Sequence, residues 1–271
     1  MNLRKLFQLA VFMLSASLCA VPGFAAEEPV SGAPGSQTDA KAVLTKMCDF
    51  LAQAKQFSVS IHAGYDVLQE TGEKIEFGEL RKLTLVRPDR IRVDVERSDG
   101  ETGLVLFDGQ EITVFSPKDK AFARAAKPGD VDHAIFYLLN DLQLRLPLAM
   151  MFVTRLPSEM ERRVRSVEVV EQDTIMDVPC THLAARTDEV DFQVWIPSQG
   201  DPLPRRVVIT YKKAMGQPQF RANLSDWNLS PNPPEDFFVF TPPEGVQRIP
   251  FLAELEVAKP DVKKVKKGGK Q

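Results

Sequence analysis

The chain has 271 residues, with 34 Lys or Arg against 37 Asp or Glu, and 44% of it is hydrophobic. That length suits one substantial domain. The acidic balance excludes a nucleic-acid partner, which would need a basic footprint.

The chain opens with Arg4 and Lys5, an apolar run (LFQLAVFMLSASLCAV), and small residues at Gly23 and Ala25. This predicts a secretory signal peptide over residues 1–25, cut after Ala25. The apolar run is shorter than the ~20 residues a membrane span needs. Leu18 stands before Cys19 where a lipid-attachment site wants Gly, Ala or Ser, so a lipoprotein anchor is disfavoured. The expected product is exported to the periplasm, with 32 basic and 37 acidic residues. A Pro/Gly/Ser linker covers residues 26–37, and a single folded domain is expected over 38–250.

Thr38 to Gln56 reads as an amphipathic helix with Val43, Met47, Phe50, Leu51 and Ala54 on one side. The period then changes to two. Phe57, Val59, Ile61, Ala63, Tyr65 and Val67 alternate with Ser58, Ser60, His62, Gly64 and Asp66. Further strands are predicted over Lys74–Val86, then at Ile91, Val93 and Val95, and over Thr102–Phe107, Glu111–Phe115 and Ala121–Arg124. Pro128-Gly129-Asp130 breaks the pattern. Val131 to Val153 reads helical, and Pro147 starts a second helical piece carrying Leu148, Met150, Met151 and Phe152. Strands resume at Arg163–Glu171, Pro179–Thr187, Asp191–Ile196, Arg205–Lys213 and Gln219–Leu229, and a Pro-rich exit follows. Spacings of about 8–12 residues with tight turns predict an antiparallel meander.

One anomaly stands out. Phe192, Val194 and Ile196 share a strand face, yet Trp195 opposes them; Val207, Ile209 and Tyr211 share another, yet Val208 opposes them. Both faces of this sheet must therefore be covered. The helical segments would cover a concave face, and long side chains, the N-terminal segment or the Pro-rich end would cover the other.

Catalytic motifs are missing: there is no G-x-S-x-G elbow, no H-E-x-x-H and no P-loop. Cys180 and His182 share a strand face and could be nucleophile and base, or two metal ligands. No third ligand or orienting acid stands at useful spacing, so a buried thiol beside a half-exposed His is the favoured reading. Neither an enzyme nor a cofactor is expected. Cys48 and Cys180 remain after processing and would be either bridged or separately buried. Arg81, Arg90 and Arg92 could frame an anionic head group, although pairing with Asp94 and Glu96 is the ordinary explanation. The Lys-rich tail over 251–271 reads as disordered and solvated, with peripheral contact to anionic lipid as the alternative.

The segments LVRPDRIRVDVE and FDGQEITVFSPKDKAFARA resemble the LolA/LolB-like lipoprotein carrier superfamily, in which an R-P-x-x-x-R strand leads into a D-G-x-x-x-x-x-Y/F-x-P hairpin. VPCTHLAARTDEVDFQVWIPSQGDPLPRRVVITY and FRANLSDWNLSP are similar to the DUF2092 branch, a family of predicted periplasmic proteins. The resemblance implies a mainly β (α+β) fold. Its form is a curved antiparallel half-barrel of about eleven strands, with an N-terminal helix and a helical insertion over the concave face. It also implies shielding of lipid or lipoprotein acyl chains, with no specific docking residue carried over. The expected apolar site comprises Val59, Ile61, Tyr65, Ile91, Val93, Val95, Phe136, Leu139, Met150, Met151, Phe152, Val194, Ile196, Val207 and Ile209, with Arg81, Arg90 and Arg92 as polar rim. The alternative is an envelope protein-interaction or sensor module whose core is filled by its own side chains.

Overall fold

A computed structural model describes residues 37–250 except 142, 143 and 145. The expected signal peptide, most of the expected linker and the Lys-rich tail lie outside the described residues. Helix α1 (Gln37–Gln53) precedes six strands: β1 (Gln56–Leu68), β2 (Lys74–Val86), β3 (Arg90–Arg97), β4 (Thr102–Phe107), β5 (Glu111–Ser116) and β6 (Ala121–Ala126). The insertion holds α2 (Val131–Phe136), a π-helical turn (Tyr137–Asp141), a 3-10 turn (Ala149–Phe152) and α3 (Leu156–Arg163). Then come β7 (Ser166–Ile175), β8 (Val178–Arg186), β9 (Asp191–Pro197), β10 (Arg206–Thr210), β11 (Gln219–Asn228), a 3-10 turn (Glu235–Phe238) and β12 (Gln247–Ile249).

All twelve strands form one open, curved sheet in the order β12-β6-β5-β4-β3-β2-β1-β11-β10-β9-β8-β7. The two meanders meet where β1 pairs antiparallel with β11, Ile61 opposite Leu224 and Tyr65 opposite Phe220. The half-barrel read from the sequence is thus observed, with one strand more: β12 adds to β6 in parallel. β12 escaped notice because three residues after a Pro-rich stretch carry no periodic signal.

This order has a consequence for the insertion. β6 and β7 follow one another in sequence yet lie ten places apart in the sheet. At ~4.8 Å per strand that is about 48 Å of sheet width, so the connecting chain must traverse the concave face. It buries Val131, Ala134, Ile135, Leu138, Ala149, Met151, Phe152 and Leu156 as it goes. α1 packs beside it through Ala40, Leu44, Met47, Cys48 and Leu51, a spacing of four, three, one and three that keeps one helix face inward. Val43, Phe50 and Ala54 flank that stripe, half-buried.

The insertion departs from its sequence reading. It is broken into short pieces, the second helical piece is a 3-10 turn that begins at Ala149 rather than at Pro147, and Leu148 adopts a left-handed φ of 70° although buried. A bulky residue in that region is strained unless its surroundings hold it. α3 occupies a stretch to which the sequence assigned no element, and its last residue, Arg163, is where a strand was expected to begin. Pro157 sits in its first turn, where its missing N–H costs nothing.

The convex face carries two separate covers. Phe237, Phe238 and Phe240 of the C-terminal segment pack on Leu104, Leu106, Phe115 and Val86. At the other half, Trp195, Val208 and Cys180 cluster with Ile175 and Val178. His182 stacks on Trp195 with ring centroids 3.9 Å apart, Arg206 lies over the same ring, and the indole N–H donates to Asp173 at 2.8 Å. Side chains of neighbouring strands thus cover this patch.

Candidate functional site

The floor of the site comes from β9 and β10. Their register sets Phe192 opposite Ile209 and Val194 opposite Val207, and all four point to the concave face. Above them the insertion contributes Leu139, Leu146, Met150 and Met151, α1 contributes Leu44 and Met47, and α3 contributes Met160. A cavity of about 560 Å³ remains between floor and roof. That lies within the range of small-molecule sites, which are concave and mainly apolar.

Charged residues border the cavity and are held in ion pairs. Arg162 and Arg163 donate to Glu159 at 2.6 and 2.8 Å, and Arg165 forms a forked pair with Asp188. Burial pushes the Glu159 carboxyl up, but hydrogen bonds from Arg162 and Arg163 outweigh this and hold it below the usual carboxylate range. The Asp188 carboxyl is lowered mainly by the hydrogen bond from Arg165.

Six of the apolar residues named from the sequence meet at this cavity: Leu139, Met150, Met151, Val194, Val207 and Ile209. Val59, Ile61, Ile91, Phe152 and Ile196 are buried as ordinary core, and Tyr65, Val93 and Phe136 are half-buried against it. Val95 borders a different groove, beside Lys82, Asp94 and Thr102. The α1 and α3 contributors were missed because nothing local shows which helix face meets which strand. Phe192 was within reach, since it keeps step with Val194 and Ile196.

The three arginines do not frame one site. Arg81 lies on the concave face, opposite Ile61, where it pairs with Glu79 and donates to the Pro147 carbonyl. Arg92 lies on the convex face, pairs with Asp94 along its own strand, donates to the Phe237 carbonyl at 2.9 Å and sits over the Phe237 ring. Arg90 sits over Phe238. Arg90 and Arg92 therefore hold the C-terminal segment, and neither faces the cavity.

The cysteines are not bridged. Cys48 is free and buried in the concave core, and Cys180 is free and buried on the convex side. Burial, with a contribution from Asp49, pushes the Cys48 thiol up to about 12. Burial likewise raises the Cys180 thiol, which donates to the Val178 carbonyl. A thiol so held is a poor nucleophile. His182 is 7% exposed and not half-exposed, since the Trp195 ring covers one face while its nitrogens meet Glu171 and Gln193. Among the described residues no three His, Cys, Asp or Glu converge as metal ligands, and no helix is long and apolar enough to cross a membrane.

Residues 40–252 match the family model described as predicted periplasmic protein (DUF2092). The chain belongs to the DUF2092 family. No curated protein matches it in sequence. Among solved structures, this DUF2092 chain is similar to the Mycobacterium tuberculosis lipoprotein LppX at 15% identity, covering 73% of this chain and 99% of that one with a TM-score of 0.47. It is similar to a LolA superfamily protein from Nitrosomonas europaea at 11% identity, 74% and 97% coverage, TM-score 0.36. A third likeness is to the Pseudomonas aeruginosa MucA/MucB complex, at 18% identity, 75% and 61% coverage, TM-score 0.40. At these identities and scores none of them bears on what the DUF2092 chain binds.

Proposed function

We propose that this protein is a non-catalytic periplasmic binding protein that holds one apolar chain of a lipid or lipoprotein between β9–β10 and the insertion. Export would follow cleavage after Ala25. The cavity carries this reading: a partly open apolar space between the sheet and a roof of methionines and leucines, with the charges at its border held in ion pairs. Such a space needs no polar motif to bind well, because each buried CH₂ contributes ~0.8 kcal/mol. Thiols held protonated and unclustered carboxylates leave the cavity without an evident nucleophile or base.

The test is titration of the delipidated protein, residues 26–271, with palmitate, read by native mass spectrometry and by displacement of a fluorescent fatty acid. One palmitate per protein is expected. Ile209→Trp, which fills the floor, should lower affinity at least about tenfold while thermal stability stays within a few degrees. A wild type that takes up no fatty acid would refute the reading and make the cavity a packing defect of a closed core.

A further inference from the structure

The concave face does not end where the roof ends. One row of cross-strand neighbours runs from the cavity floor outward: Phe192 on β9, Ile209 on β10, Phe220 on β11, Tyr65 on β1 and Phe77 on β2. Phe220 is buried, whereas Phe77 is 42% exposed and stacks on Tyr65 at 6.2 Å. The next cross-strand pair outward, Val67 and Ile75, is exposed by 38% and 45%. Four apolar side chains on one face of a hairpin, two of them a stacked pair, thus continue the row into solvent. Hairpin surfaces of this kind are ordinarily polar on the side facing water.

The junction between the two regions is marked. Arg81 donates to the Pro147 carbonyl at the cavity wall, and its guanidinium lies 5.7 Å from the Phe220 ring, midway along the row. Its partner Glu79 is on the same face. A polar pair therefore separates a roofed apolar site from an open one.

We infer that the Tyr65–Phe77 and Val67–Ile75 ladder is a second apolar subsite, which takes a second acyl chain of the ligand whose first chain fills the cavity. This rests on the acyl-binding reading above and narrows it: the ligand is a lipid with at least two chains, its polar linkage lying at Arg81 and Glu79. A bilayer surface fits the ladder less well. The hairpin turn carries Glu70 and Glu73 beside the single Lys74, while Asp66 and Glu76 on the opposite face are paired with Arg221, so the tip is net negative and an anionic membrane would repel it.

The experiment compares palmitate with dipalmitoylphosphatidylethanolamine, each added below its aggregation limit to the wild type and to Ile75→Ser/Phe77→Ser. Both positions are substantially exposed, so the variant should fold, which near-ultraviolet circular dichroism checks. Removing about 60 Å² of apolar contact at ~25 cal/mol per Å² corresponds to about a tenfold weaker Kd. The variant should bind palmitate as the wild type does and lose about tenfold for the two-chain lipid. A dipalmitoyl lipid with a photoreactive group at one chain end should label residues 65–77 of the wild type.

Equal loss of both ligands, or no loss of either, would overturn the second subsite and leave the cavity reading intact. A wild type that binds neither would overturn both. Co-flotation with vesicles that the same substitutions abolish, without uptake of soluble lipid, would make the ladder a membrane contact and also overturn it.

Discussion

Arg87 is the corner at which β2, α1 and the insertion are tied, and its removal gives a quantitative prediction. Its Nε donates to the Ala54 carbonyl at 3.0 Å and its Nη2 to the Phe152 carbonyl at 2.9 Å. A longer contact at 3.5 Å reaches the Leu51 carbonyl. The first and last of these lie at the C-terminal end of α1, where carbonyls lose their helical partners. Asp132 stands 3.7 Å away and accepts from the Thr154 N–H and hydroxyl. That ion pair is loose, so the carbonyl bonds should dominate. Charge-assisted bonds contribute ~1.5–3 kcal/mol each, and breaking a buried pair by removing one partner costs ~3–5 kcal/mol. These figures overlap because both count the same desolvated groups. Arg87→Met, which keeps the apolar stem, should therefore cost about 4 kcal/mol. At ~2–4 °C per kcal/mol for a domain of this size, Tm should fall by about 8–16 °C. Urea unfolding followed by far-ultraviolet circular dichroism measures the loss. Asp132→Asn keeps an acceptor for Thr154 and should cost only about 1–2 kcal/mol. A loss below about 1 kcal/mol for Arg87→Met would refute the reasoning, because it would mean that water serves those carbonyls equally well.

Three further outcomes are expected. A hydrogen bond from Arg221, aided by the Gln219 N–H, holds the Asp66 carboxyl below its ordinary pKa despite the opposing effect of burial. A lowered folded-state pKa stabilises above the unfolded value of ~3.9 and loses that contribution as pH falls through the folded value. The stability gap between wild type and Asp66→Asn should therefore be constant above about pH 5 and shrink in more acidic solution; a gap independent of pH would contradict this. In protein lacking residues 1–25, Cys48 and Cys180 should resist a thiol reagent at pH 8 and react as two thiols after denaturation, with no change on prior reduction. Met150→Leu/Met160→Leu conserves volume but stiffens the roof, so stability should change by less than about 1.5 kcal/mol while the range of chain lengths bound narrows.

The strands were legible because period-two patterns and short turns leave little choice. The alternation of Phe57 to Val67 placed β1 on the right face along its length. The double-sided apolar signal at Trp195 and Val208 correctly required a cover, but its identity lay in β8 and in Arg206, one strand away on either side. The cavity was half legible for a physical reason. Floor residues follow from strand register, which alternation reveals, whereas roof residues depend on how short broken helices dock, which depends on tertiary packing. Arg92 pairs with Asp94, the ordinary explanation read from the sequence, but its further role was hidden for a related reason: Arg90 and Arg92 face Phe238 and Phe237, residues 145 or more positions later in the chain, and no local pattern joins them.

Sheet order also explains why the space lies beneath the insertion. A meander joined by tight hairpins leaves its concave face open, and here a single connection from β6 to β7 must roof nearly the whole width. A continuous helix could present one apolar stripe to a flat floor, but this floor curves. The chain accommodates the curvature with a π-helical turn, a left-handed Leu148 and a 3-10 turn, each of which interrupts regular packing. At the β2 corner Arg87 fastens the insertion through the Phe152 carbonyl. Over β9 and β10 the roof is made instead by Leu139, Leu146, Met150 and Met151, which meet the floor only through apolar contact. Methionine tolerates several packings at similar energy, so this part of the roof is held by adaptable apolar contacts and by the one bond from Arg81 to the Pro147 carbonyl. The fastened corner and the adaptable span thus divide one connection into a part that preserves the fold and a part on which the proposed binding role depends.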